Sequence, residues 1–381
     1  MKYEKKIGII IFCFFIFILI LGAALKEILS NQYPYPELKV FHQAFSLILS
    51  KFVDPIDNEL LLQGAEKGLL SSLDPVNLFV PKEKADLFKK WLEKPVYDCG
   101  IRLKRSGRFV YVSFIFPSSA SDGEFKIGDI IEEVQGLKYP MADIWELELE
   151  MRGQIGKNVK IHYTPADSEF PKEVILKIKP YERKSFDIKF EDEYTCIKFY
   201  DINGDTPKKL KAELKKLAQN SKILIDLRAT SSLDYDSASK IADFFIKENY
   251  TLIYKETKGS TKVKIENEEF FPFQNLYILQ DEETFGSAEV LAMVLKEKGN
   301  ATIIGTNTYG FTGIPKTYVL SNKSIVYLTS TIVISEDGLN IMKKGLKPTV
   351  EVKKSYFYQE TYNKIEETFK ELLKEEKKKA A

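Results

Sequence analysis

From Ile7 to Leu25 the chain carries no charged side chain. A helix rises 1.5 Å per residue, so this run would be about 28 Å long, close to the roughly 30 Å hydrocarbon core of a bilayer. Lys2, Lys5 and Lys6 precede it and Lys26 follows directly. Basic flanks before a span stay cytoplasmic. The run therefore predicts a single-span transmembrane helix within residues 1–26, with the body in the periplasm or outside the cell. Gly22, Ala23 and Ala24 also offer a small-residue cleavage site. A signal segment is the alternative, although its apolar stretch is usually only about 7 to 15 residues long.

A chain of 381 residues leaves room for two or three domains beyond that segment. Its 56 basic and 55 acidic residues balance to a net charge of +1. That argues against a nucleic-acid partner, which usually demands a basic excess. Cys13 lies in the apolar run, so only Cys99 and Cys196 could pair in the body. A disulfide scaffold and a cysteine zinc site are both disfavoured. The two histidines, His42 and His162, stand near no second ligand at metal spacing, and they supply a Ser-His-Asp hydrolase poorly. No metal and no cofactor are expected.

The body reads as a multidomain α+β and α/β chain. Residues 27–96 carry apolar positions at helical spacing, such as Phe41, Ala44, Phe45 and Ile48, with breaks at Asp54-Pro55 and Asp74-Pro75. Residues 97–180 change to short strands separated by Gly123, Gly128, Gly136 and Gly156, predicting a compact β-rich module. Residues 181–354 alternate strand-like and helix-like stretches, the signature of an α/β core. Residues 355–381 predict a charged, solvated C-terminal helix, with Tyr362, Ile365, Phe369 and Leu372 at helical spacing.

Several stretches, taken in order, resemble one family. Gly64-Ala65-Glu66-Lys67-Gly68-Leu69-Leu70 followed by Ser72-Leu73-Asp74-Pro75 is similar to the segment that opens the carboxyl-terminal processing (tail-specific) serine peptidases. Asp98-Cys99-Gly100-Ile101, Lys126-Ile127-Gly128-Asp129-Ile130-Ile131 and Arg152-Gly153-Gln154-Ile155-Gly156 resemble landmarks of that family's PDZ domain. Ile225-Asp226-Leu227-Arg228, Ala288-Glu289-Val290-Leu291-Ala292, Thr308-Tyr309-Gly310 and Gly345-Leu346-Lys347-Pro348 resemble later motifs of its peptidase core. The resemblance spans roughly residues 38–352. It implies a PDZ-like module over 97–180 and a tail-specific-protease-like core over 181–354.

It also implies a Ser nucleophile with a Lys base, since a desolvated Lys can sit neutral and take the hydroxyl proton. In the family pattern S-A-S-E the nucleophile stands three residues before the Glu, which here is Gly286. The Lys of T-[FY]-G-K-G is replaced by Phe311, and the Gln four residues on by Pro315. The glycine-rich oxyanion segment after D-L-R reads Thr230-Ser231-Ser232-Leu233, which puts the oxyanion donors around Ser232 and Leu233 in doubt. Losing one oxyanion donor costs about 10² to 10³ in rate, and losing a nucleophile on the order of 10⁶. Ser287, with Lys316 as a distant partner, is the remaining route to activity. Its other reading is a helix N-cap.

The PDZ resemblance implies capture of a peptide C-terminus by strand addition, with Cys99, Gly100, Ile101 and Arg102 meeting the carboxylate. A structural module with a closed groove is the alternative. Asp98 stands where the family has Gly, which sets a negative charge beside the loop. Arg102 reads either as a carboxylate partner or as a solvated strand residue. Three functions stay open: a proteolytically inactive, envelope-facing pseudoenzyme that binds peptide or protein C-termini; an active serine-type endopeptidase with Ser287 as displaced nucleophile; or a structural envelope scaffold. The implied partners are protein C-termini, an active homologous peptidase or another envelope protein, and the membrane.

Overall fold

The structure, a computed structural model, describes residues 35–380 apart from residues 94, 96, 218–221 and 268. The expected anchor over residues 1–26 lies outside the described residues. Among those described, no helix is long and apolar enough to cross a membrane. The chain divides into two compact units, residues 1–69 and 70–381.

The first unit contains helix α1 (Pro36–Lys51) and most of α2 (Asn58–Ser71). Glu37 in the first turn and Lys51 in the last both suit the helix dipole. Asp57 starts α2, its Oδ1 accepting the N–H groups of Glu59 at 2.8 Å and Leu60 at 3.2 Å.

The second unit begins at the end of α2 and turns at Asp74-Pro75, where Asp74 Oδ1 accepts from Val76 N–H at 2.9 Å. A strand follows, β1 (Leu78–Val80), then helix α3 (Ala85–Leu92). The helical segment expected over 27–96 is therefore interrupted by a strand. Three consecutive apolar residues after a proline turn suit a strand with two covered faces better than a one-sided helix. Phe88 of α3 is fully buried and meets Trp145 edge-on at 5.3 Å.

Next comes an antiparallel β module. It holds β2 (Ile101–Ser106), β3 (Phe109–Ile115), β4 (Ile130–Val134), β5 (Leu137–Lys138), helix α4 (Ile144–Glu150), β6 (Asn158–Thr164) and β7 (Lys172–Lys177). The sheet order is β2-β3-β4-β6-β7, with β5 paired to β4, so β2 is an edge strand. Alternate residues such as Val110, Val112, Val159 and Ile161 point into its core.

The core opens with β8 (Phe186–Phe190), β9 (Thr195–Phe199), α5 (Thr206–Leu214), β10 (Lys222–Asp226), β11 (Ser231–Ser232) and α6 (Tyr235–Asp243). It continues with β12 (Tyr250–Glu256), β13 (Gly259–Ile265), β14 (Asn275–Gln280), β15 (Phe285–Gly286), α7 (Ser287–Glu297) and β16 (Thr302–Gly305). Strands β17 (Gly313–Val319), β18 (Ile325–Ser335), β19 (Val350–Glu351) and helix α8 (Tyr358–Ala380) complete it. One sheet runs β19-β16-β14-β10-β9-β8, parallel except where β8 meets β9. A second, antiparallel sheet orders β1-β18-β12-β13, with β17 also on β18.

The central strands are apolar through their middles because both faces are covered. Ile223, Ile225, Ile278 and Ile303 pack with α6 and α7 residues. Leu224, Tyr277, Leu279 and Ile304 pack against Ile365, Phe369 and Leu373 of α8. The terminal helix is thus seated on the sheet, a correction to the solvated helix read from its charge. Tyr277 Oη also donates to both Glu376 carboxylate oxygens at 2.7 Å. Tyr277→Phe is expected to cost about 1 kcal/mol, read from the denaturation midpoint.

Candidate functional site

The site is built where β14 leaves the sheet. Asp281 Oδ1 accepts the N–H groups of Ala229 (3.0 Å), Glu283 (3.0 Å) and Thr284 (2.9 Å), and Thr284 Oγ1 donates to Leu227 O at 2.9 Å. These bonds pin the turn after β14 to the end of β10. β15 then lies parallel to β11, with Ser231 opposite Phe285 and Ser232 opposite Gly286. Gly286 takes φ +71°, a conformation that costs other residues strain. A Cβ built on it would fall 2.0 Å from the Ser232 carbonyl oxygen and 3.3 Å from Leu233 Cδ2. Position 286, which the sequence aligns with the family's nucleophile, is therefore without a hydroxyl and without room for one. The nearest group to that Cβ is the Ser232 carbonyl, an acceptor and not a donor.

Glu289, in the first turn of α7, ties this position to the segment carrying Phe311. Its Oε2 accepts the N–H groups of Gly286 (3.0 Å) and Phe311 (2.8 Å), and its Oε1 that of Gly310 (2.6 Å) and the Thr308 hydroxyl. Gly286 and Phe311 thus share one carboxylate oxygen. Burial pushes Glu289 up to about 7, against the lowering pull of its hydrogen-bond donors. The Phe311 ring is 0 % exposed and lies parallel on Phe285 at 4.9 Å, while Tyr309 meets Phe285 edge-on at 5.1 Å. At 311, which the sequence aligns with the family's Lys, there is an aromatic stack.

Pro315 lies further along β17, opposite Thr329 and beside a bulge at Ile314, a position suited to a residue with no N–H. No bond joins it to Glu289. Ser287 is the first residue of α7, not its N-cap as expected; that place belongs to Gly286. The Ser287 hydroxyl is wholly buried and meets no hydrogen-bond partner among the described residues. Lys316 is exposed and pairs with Glu256 at 3.3 Å, so it gives Ser287 no base. Ser232 Oγ donates to Ile202 O at 2.6 Å, and Leu233 is partly exposed.

The other expected site is the loop that enters β2. Cys99 N–H donates to Met151 O at 3.1 Å, and Gly100 N–H donates to Asp98 Oδ1 at 2.9 Å. The Cys99 side chain is fully buried, and burial, aided by Asp98, pushes its thiol up to about 12. Ile101 packs inward opposite Ile115. Arg102 is neither a free carboxylate partner nor a solvated residue. It donates to Tyr200 O at 3.0 Å, pairs with Asp201 at 3.3 Å and lies over the Phe116 ring at 4.9 Å. The cations and donors expected to receive a tail are thus committed inside the protein.

Sequence reasoning missed a second contact between module and core. Lys104 of β2 pairs with Glu283 at 2.7 Å and sits 5.0 Å over Phe285 and 4.9 Å over Tyr309. Tyr111 Oη donates to the other Glu283 oxygen at 2.7 Å. Partners so far apart in the chain leave no local signal. Among the described residues no group of three or more His, Cys, Asp or Glu is arranged to hold a metal ion.

Residues 193–352, which carry β9 to β19 and the Gly286–Glu289–Phe311 arrangement, match peptidase family S41. That stretch of the chain is an S41 peptidase-family segment. Its S41 segment and flanking module are similar to the carboxy-terminal processing protease CtpB of Bacillus subtilis, 23% identical over 83% of this chain and 68% of the relative. They are similar too to CtpA of the same organism, 25% identical over 86% and 72%. Among solved structures, the photosystem II D1 C-terminal processing protease shares the fold with a TM-score of 0.63, at 17% identity over 84% of this chain and 93% of that one.

Proposed function

We propose that this chain is a non-hydrolysing member of the S41 family, a membrane-tethered pseudoenzyme of the cell envelope whose PDZ-like module binds polypeptide C-termini. The Ser232 carbonyl, seated where a nucleophile's Cβ would lie, carries the first part of this reading. The burial of Phe311 and the pairing of the exposed Lys316 with Glu256 support it. The lysine-flanked run from Ile7 to Leu25 supports the tether, and the family's dealings with protein chains support a polypeptide partner.

The test is cleavage of unstructured peptides by the full chain, compared with Ser287→Ala. The expected result is no turnover above buffer in either protein, because the Ser287 hydroxyl is buried and has no positioned base. Turnover that disappears in Ser287→Ala would establish the displaced-nucleophile enzyme instead.

A further inference from the structure

β2 is the edge of the module's sheet, so its outward N–H groups are where an added strand would bond. The Leu103 N–H, however, donates to Glu148 Oε1 of α4 at 3.3 Å. The other oxygen of Glu148 accepts the Trp91 indole N–H at 2.9 Å, which sets α3 over the same edge. At the entrance to β2 the Asp98 carboxylate takes the Gly100 N–H at 2.9 Å. It also accepts from the Tyr181 hydroxyl at 2.5 Å and from Arg183 Nη2. Arg183 is steadied over the Phe116 ring at 4.5 Å.

A chain end entering this groove would bring a terminal carboxylate for the first loop donor and a backbone carbonyl for the strand donor. Both functions are already supplied by side chains: Asp98 stands in for the terminal carboxylate and Glu148 for the carbonyl. Around Asp98 the surroundings are those of an anion site, with a backbone N–H, a phenol and a guanidinium converging on two oxygens. The anion that fills it belongs to the protein.

We infer that Asp98 and Glu148 act as an internal ligand that keeps the tail-binding groove self-occupied, so that a free chain terminus must displace them to bind. This rests on the reading of the module as a tail binder. When a competent state is only fractionally populated, observed affinity falls by that fraction, and removing the competitor restores it. Asp98→Gly leaves Gly100 N–H, Tyr181 and Arg183 available to an incoming carboxylate, whereas Glu148→Ala frees the Leu103 N–H alone.

The experiment follows fluorescence anisotropy of a labelled unstructured peptide titrated with the full chain. The peptide is used both with a free α-carboxylate and as its C-terminal amide. Asp98→Gly is expected to bind the free-carboxylate peptide about tenfold tighter than wild type or better, with the gain lost on amidation. Glu148→Ala is expected to gain less. Should loss of the Arg183 partner unfold Asp98→Gly, as its circular dichroism would show, Glu148→Ala decides alone. Wild type binding the free-carboxylate peptide as tightly as the folded variants would overturn the self-occupied groove while leaving tail binding intact. No binding by wild type or folded variants would overturn both.

Discussion

Putting serine at 286 together with lysine at 311 is expected to give a less stable protein with no peptidase activity. The serine Cβ would fall 2.0 Å from a backbone carbonyl that is fixed by the pairing of β11 with β15, and at φ +71° the new residue is strained as well. Backbone strain of this kind costs about 1 to 3 kcal/mol. The lysine removes a ring that is wholly buried and stacked on Phe285, a loss of about 3 to 5 kcal/mol, and buries an ammonium next to rings that already hold the Lys104 ammonium. For a chain of this size the sum lowers the melting temperature by roughly 10 °C or more. Even if the variant folds, the Ser232 carbonyl still crowds the carbon that carries the new hydroxyl. The check is a thermal melt beside a peptide-cleavage assay. A variant that melts within about 2 °C of wild type and cleaves peptides would show that the segment Thr230–Leu233 opens easily, and the non-hydrolysing reading would fail with it.

The contrast between what was legible in the sequence and what was not follows the range of the interactions. Gly286 and Phe311 stand out by counting within short motifs, and they meet at Glu289 through α7, β16 and the loop after β16. The placement of the Ser232 carbonyl depends on two short strands far apart in the chain, so the motif could say only that the glycines were missing. Ser287 was misplaced by one residue because a glycine with positive φ starts the helix and Glu289 closes back on its N–H, a cap that side-chain chemistry at 287 does not reveal. The apolar spacing of α8 was visible. Its seat was not, because the middles of β10 and β14 are apolar on both faces and do not announce which face α8 covers. Arg102 could be weighed only as ligand or solvated residue, since Tyr200 and Asp201 lie in another part of the chain.

Glu289 offers the sharpest test of the site as a structural joint. Replacing it with Gln leaves one accepting oxygen where two now take four donors, so two buried donors face an amide NH₂. At about 1 to 3 kcal/mol for each unsatisfied group, Glu289→Gln is expected to lose roughly 2 to 6 kcal/mol at pH 5, where the protonated carboxyl of the wild type still accepts at both oxygens. The gap then depends on pH. Burial raises Glu289 from the ordinary 4.5 to about 7, so between those values the folded chain keeps a proton that the unfolded chain has released. Stability contributed by this group is present below about 4.5 and is lost as pH rises through about 7, amounting to about 3 kcal/mol at roughly 1.4 kcal/mol per pH unit. Gln cannot titrate, so the advantage of wild type over Glu289→Gln should shrink from pH 5 to pH 8. Other titrating groups are common to both proteins and cancel in the difference. Denaturant midpoints at pH 5, 6, 7 and 8 measure it. A gap that widens with pH would mean that the four donors outweigh burial and hold Glu289 ionised, making the joint between Gly286 and Phe311 strongest in alkaline solution.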